Sequence, residues 1–149
     1  MLLTKWLLDS KGIKKPNSVL KTLESMNICT VESLLEKWRE RNGRPFYIPG
    51  TGVKTDEIID KWMLELDSSE NPYGMGALRL AIQKELLSKR TGKKIDNSYQ
   101  IFRWLSDIGI FTLNDLVKDE MYEYRTFGPF TSEVIGGVKL NAMIKMGLV

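Results

Sequence analysis

The stretch Ile48-Pro49-Gly50-Thr51-Gly52-Val53-Lys54-Thr55 decides how the rest of the chain is read. An apolar residue enters, Pro49 and Gly50 turn the backbone, and Gly52 supplies a second point without a Cβ. Thr55 stands where a helix could be capped, and Ile58, Ile59, Trp62, Met63 and Leu66 follow at helical spacing. The pattern predicts a tight turn that runs into a helix N-terminus. Such an end has unpaired N–H groups and the positive pole of the helix dipole, and it favours an anion. A phosphodiester fits there, with Lys54 adding a charge close by. Donors that belong to the backbone do not read bases.

Working outward, the same helical spacing recurs. Upstream lie Val19, Leu20, Leu23 and Met26, then Val31, Leu34, Leu35 and Trp38 behind the cap candidate Thr30. Downstream, Ile101, Phe102, Leu105 and Ile108 form one stripe, followed by Leu113, Leu116 and Val117 and by Val134, Ile135 and Val138. A further helix is expected ahead of each set, over residues 2–8 and 77–87. No segment sustains the alternation of a strand, so the fold class is all-α. Gly136-Gly137 fall inside the last helix, where each costs about 1 kcal/mol against Ala. Either that helix starts later or a neighbour comes close there.

The two halves echo one another in order. Lys5-Trp6-Leu7-Leu8 returns as Lys84-Glu85-Leu86-Leu87 at a shift of 79, Lys14-Lys15 as Lys93-Lys94 at the same shift, and Asn17-Ser18 as Asn97-Ser98 at 80. The run from Ile28 to Leu34 faces that from Ile110 to Leu116 at 82, and Gly52 to Ile59 faces Gly128 to Ile135 at 76. We read a compact helical unit in two tandem copies, residues 1–70 and 71–149. The repeat is too long for a solenoid. Asp67-Ser68-Ser69-Glu70-Asn71-Pro72-Tyr73-Gly74 is polar and carries Pro and Gly, as a linker or turn does.

Composition narrows the chemistry. The 149 residues hold 22 basic and 19 acidic side chains, net +3, with no histidine and one cysteine, Cys29. No Ser–His or Cys–His pair can be built, and a Cys/His zinc site lacks ligands. The carboxylates are scattered singly, without the spacing of a calcium loop, and Gly50-Thr51-Gly52 lacks the Lys-Ser end of a P-loop. No catalytic residue, metal or cofactor is therefore expected. One cysteine forms no disulfide within the chain, and the apolar start is too short and too charged to span a membrane. The expectation is a cytoplasmic protein without enzymatic activity.

The residues 48–55 look like a helix-hairpin-helix motif. Their surroundings, a helix, Ile28-x-Thr30-Val31-x-x-Leu34, a second helix, the Gly-containing hairpin and a last helix, resemble the C-terminal domain of the bacterial RNA polymerase α subunit. The likeness covers about residues 17–66 and 97–146. It implies a compact helical domain of transcription that binds DNA through the minor groove and backbone and docks regulatory proteins. Gly52, Lys54 and Thr55 match the family's Gly, Lys and Ser. Its minor-groove Arg aligns with Ser18 and Gln100, and an Asn one turn later aligns with Lys21 and Arg103, which can still contact phosphate. In the second hairpin Gly128 and Thr131 remain, while Pro129 has no N–H and Phe130 replaces the lysine.

The expected DNA contacts are thus Ser18, Lys21, Gly50, Thr51, Gly52, Lys54, Thr55, Arg103, Gly128 and Thr131, with the first hairpin dominant and specificity low. A second reading keeps the fold as a protein-interaction adaptor, docking onto transcription machinery through the second unit, where Phe127 and Phe130 are core residues or an exposed apolar patch. Arg39, Arg41 and Arg44, within the extra residues 39–45 of the first hairpin, form a phosphate-facing edge or an ordinary solvated helix end. The loops with Lys11, Lys14 and Lys15 and with Lys89, Arg90, Lys93 and Lys94 are basic in both copies. Cys29 and the four tryptophans, Trp6, Trp38, Trp62 and Trp104, are read as core.

Overall fold

The computed structural model describes residues 1–41, 46–89, 97–120 and 124–149. Eight α-helices and one 3₁₀ turn account for the regular structure of these residues, so the protein is all-α. The chain divides into two compact units, Met1–Leu66 and Asp67–Val149.

The first unit contains α1 (Lys5–Ser10), α2 (Pro16–Ser25), α3 (Val31–Arg39) and most of α4 (Val53–Glu70). The leading helix begins later than the apolar run suggested. Thr4 caps it by accepting from Leu7 N–H at 3.1 Å, while Leu2 and Leu3 are extended. They lie antiparallel to Cys29 and Thr30, through Leu3 N–H to the Cys29 carbonyl and Val31 N–H to the Met1 carbonyl, both 2.9 Å. That pairing leaves the Cys29 side chain exposed, against its reading as core. Leu8, Leu23, Leu34, Trp38, Ile48, Ile59 and Met63 form the core. Trp38 also donates its indole N–H to Asp60 at 2.7 Å, which fixes α3 on α4.

The second unit contains α5 (Met75–Ser88), α6 (Asn97–Asp107), α7 (Leu113–Lys118), the 3₁₀ turn Tyr124–Phe127 and α8 (Pro129–Lys145). The expected linker is mostly helix: α4 continues to Glu70, and only the residues from Asn71 to Gly74 turn. The cause is Asp67, 2% exposed, whose carboxylate accepts the Gly76 N–H at 2.7 Å in the first turn of α5. A carboxylate at a helix start is favourable in both hydrogen bonding and dipole terms. Leu78, Ile82, Phe102, Leu105, Leu116, Val134 and Ile135 make the core. Gly136 and Gly137 lie within α8, and a Cβ on Gly137 would collide with the Glu85 side chain of α5. Close approach explains the second glycine; Gly136 faces open space.

The local backbone devices of the two units correspond closely. Residues after α2 and α6 make the same closing turn, with Ile28 N–H to Leu23 O and Ile110 N–H to Leu105 O, each 2.9 Å. Asn27 and Gly109 hold the left-handed conformation this turn requires, at φ 61° and 87°. Thr30 and Thr112 then cap α3 and α7, each in a reciprocal box with the residue three on, Ser33 and Asp115. Each such cap is worth about 1 kcal/mol. Two of the sequence matches join residues in different surroundings. Ser98 is buried whereas Ser18 is exposed. Leu8 is buried, whereas Leu87, matched to it in sequence, is 60% exposed and Leu86 beside it is buried.

Candidate nucleic-acid interface

The first hairpin is built on Ile48, which is 1% exposed and anchors the turn in the core. Pro49 and Gly50 follow, Gly50 at φ 83°, and Thr51 N–H returns to the Ile48 carbonyl at 3.3 Å. Pro and then a positive-φ Gly are the residues a type II turn demands. Gly52 repeats the positive φ at 89°, and α4 starts at Val53. Thr55 is therefore the third residue of the helix and not its cap, because the second glycine already redirects the chain.

Asp56, which the sequence reading missed, locks this turn. Its carboxylate is buried and accepts from Ile48 N–H at 3.2 Å and from the Thr51 hydroxyl at 2.7 Å. The Ile48 carbonyl oxygen lies 2.8 Å from the same hydroxyl as a second acceptor, but the carboxylate is the stronger. An acid one turn into a helix, after a Gly-Thr-Gly turn, was the available signal.

The exposed face of the hairpin comprises Pro49, Gly50, Gly52, Val53 and Lys54. The first helical bond is given by Asp56 N–H to the Gly52 carbonyl at 3.1 Å. The preceding amides of Val53, Lys54 and Thr55 lie in the part of a helix that has no intrahelical acceptor. Thr51 is half-buried and Thr55 only 8% exposed, so these two brace the turn from within. Arg41 lies over the Phe46 ring at 5.7 Å and donates to the Tyr47 carbonyl, which spends it on the approach to the hairpin. Arg39 is half-buried, and Asn42, Gly43, Arg44 and Pro45 lie outside the described residues.

The second hairpin reaches the same helix start by other means. Gly128 has φ 95°, and Ser132 N–H gives the first bond to its carbonyl at 3.0 Å. Pro129 occupies the first helical position, Phe130 is half-buried, and Thr131 is buried like Thr55. The chain ahead is held by aromatic packing: Phe127 stacks on Trp104 with centroids 5.8 Å apart. Tyr124 donates to Asp119 at 2.6 Å, and Lys139 to the Asp119 carbonyl.

Ser18 and Lys21 are exposed on α2, and Arg103 is exposed on α6, each one turn or less from the buried Val19 or Ile101. Of the four tryptophan side chains Trp6 departs furthest from the expected core, at 73% exposed, and Trp62 is half-buried, with the Lys11 ammonium 5.0 Å from its ring. Trp104 is half-buried as well. Lys89 meets Glu133 at 3.0 Å and Glu85 at 3.7 Å, whereas Arg90, Lys93 and Lys94 lie outside the described residues. Among the described residues no three carboxylate or thiol groups are grouped to hold a metal, and no helix is long and apolar enough to cross a membrane. Comparison with protein-family models, curated proteins and solved structures finds no match to this chain.

Proposed function

We propose that this protein is a non-enzymatic DNA-binding module of helix-hairpin-helix type, similar to the C-terminal domain of the RNA polymerase α subunit. The observation that carries the reading is the first hairpin. Its exposed glycines at positive φ bring backbone onto the surface beside the α4 N-terminus, with Lys54 next to them. Backbone amides and a nearby lysine suit a phosphodiester without reading its base. The two units descend from one duplicated unit in this reading, supported by the paired closing turns, capping boxes and positive-φ glycines at Gly52 and Gly128.

The test is a titration with labelled duplex DNA at several salt concentrations. Binding should be weakly sequence-dependent, with a log–log salt slope on the order of −2 to −4, since few phosphates are neutralised. Absence of binding at about 50 mM salt, where charge contacts are strongest, rejects the reading. One observation favours an adaptor role as the second reading: Leu140, Ile144 and Leu148 are 51–60% exposed at four-residue spacing along α8 and just beyond it. That apolar stripe belongs to the second unit, whose hairpin lacks the lysine.

A further inference from the structure

Charge in the first unit is segregated. Residues 1–66 hold 11 basic and 9 acidic side chains, yet from Ser10 to Leu23 there are four lysines and no acid. These are Lys11, Lys14, Lys15 and Lys21, all exposed. The acids gather elsewhere: the part of α4 in this unit carries Asp56, Glu57, Asp60 and Glu65 against Lys54 and Lys61. Lys54 thus adds one cation at the hairpin, while a larger group of exposed lysines lies elsewhere in the unit. No carboxylate among the described residues lies within salt-bridge distance of the four lysines.

The lysines are also held in place. Gly12, at φ 86°, closes α1 with its N–H on the Asp9 carbonyl at 2.9 Å, and Ile13 is 2% exposed and pins the loop in the core. Lys15 then takes the left-handed conformation at φ 57°, directly before Pro16 at the start of α2. A lysine in that region is uncommon, since Asn or Gly fits it with less strain. Lys11 rests on Trp62, nine residues into α4 from Val53, so the loop lies about 14 Å along that helix from the hairpin. A duplex offers one charge per ~1.7 Å of axis, so phosphates are spaced closely enough to serve two contacts separated on that scale.

We propose that the lysine loop and the first turns of α2, with Lys14, Lys15 and Lys21 as its cations, form the main electrostatic contact with the phosphates of duplex DNA. The hairpin supplies positioning hydrogen bonds. This rests on the DNA-binding reading above and assigns its charge to a different part of the unit.

The experiment uses the full chain and a fluorescein-labelled 20-base-pair duplex of mixed sequence, read by anisotropy from 50 to 300 mM salt. The triple variant Lys14→Gln, Lys15→Asn, Lys21→Gln keeps a residue suited to the left-handed position, and circular dichroism verifies its fold. It should lower the salt slope from about −4 by about 3 and weaken binding at 50 mM by on the order of 100-fold. Lys54→Gln should lower the slope by about 1. Restoring the charges as Lys14→Arg and Lys21→Arg, with Lys15 kept, should return binding. If the triple variant keeps the wild-type slope while Lys54→Gln abolishes binding, the proposal is wrong and the DNA reading survives. If the wild-type chain ignores the duplex at 50 mM salt, the DNA reading fails and takes the proposal with it. Loss of binding to phosphatidylserine vesicles in the triple variant, with duplex binding intact, also overturns it.

Discussion

The two hairpins place a glycine at positive φ, a helix start and a buried threonine in the same order, yet they are held by different forces. The first is closed by polar chemistry, with Asp56 reaching back to Ile48 and Thr51. The second has Ser132 at the corresponding place and depends on the Trp104–Phe127 stack and on Asp119. The first keeps its outer surface free for amides and Lys54; the second loses one amide to Pro129 and turns Phe130 partly inward. A shared backbone thus does not entail a shared surface. What differs is which side chains close the turn, and that decides what is left outside.

The largest expected effect tests this difference directly. Asp56→Ala leaves the buried Ile48 N–H without its acceptor and should lower stability by about 2–3 kcal/mol, the scale for an orphaned buried donor next to a lost charged hydrogen bond. Ser132→Ala should stay within about 0.5 kcal/mol. Urea unfolding followed by circular dichroism reads both. Similar losses at the two positions would mean that Asp56 is not the lock.

Much of this was readable from the residues. Among the described residues the stripes placed the helices near their observed positions, the leading helix excepted, and Thr30 announced its cap, because capping and amphipathic spacing are local rules. The hairpin's glycines were also legible, since few other residues enter a Pro-Gly turn of that kind. Three kinds of feature were hidden. Asp56 acts eight residues back along the chain, and the acid one turn into the helix after Gly-Thr-Gly hints at a role without naming Ile48 as its partner. Trp6 and Cys29 lie at the rim of short elements, where spacing gives a face without saying what covers it. Asp67 turned an apparent linker into helix because its partner lies in α5. The lysine loop was visible as charge; its rigidity, from Gly12 and Ile13, was not.

Surface chemistry is the next way to sharpen the contrast. Lys54→Glu should weaken duplex binding by about tenfold, which corresponds to about 1.4 kcal/mol. Phe130→Glu should leave it within about twofold, provided circular dichroism shows both variants folded. A greater loss at Phe130 would reverse the roles of the hairpins and favour the adaptor reading.

The helices behind the hairpins differ as well. Counting from Gly52 and Gly128, the positions of Asp60 and Lys61 in α4 are taken by Gly136 and Gly137 in α8. Asp60 binds the Trp38 indole, whereas Gly136 faces open space inside a helix. Gly136→Ala should therefore stabilise the protein by about 0.5–1 kcal/mol, the helix-propensity difference. Gly137→Ala should gain less or lose, because its Cβ displaces the Glu85 carboxylate from Lys89 and Asn141. Equal gains in urea unfolding would show that Glu85 moves aside freely.

The smallest effect separates the lysines that end the two leading helices. Lys11 closes α1 and lies over Trp62; Lys89 closes α5 and donates to Glu133 at 3.0 Å. The Glu133 hydrogen bond, aided by the charges of Glu133 and Glu85, raises the Lys89 pKa above its ordinary 10.5. A lysine whose folded pKa is raised binds its proton more tightly in the native state. Its contribution is then complete below the unfolded value and fades as pH rises through the folded one. The stability difference between the wild-type chain and Lys89→Met should be small and flat from about pH 7 to pH 10, then shrink above the ordinary lysine value. A difference that instead persists unchanged past that value would mean the ammonium is not what Lys89 contributes, and that its methylene stem on α5 is.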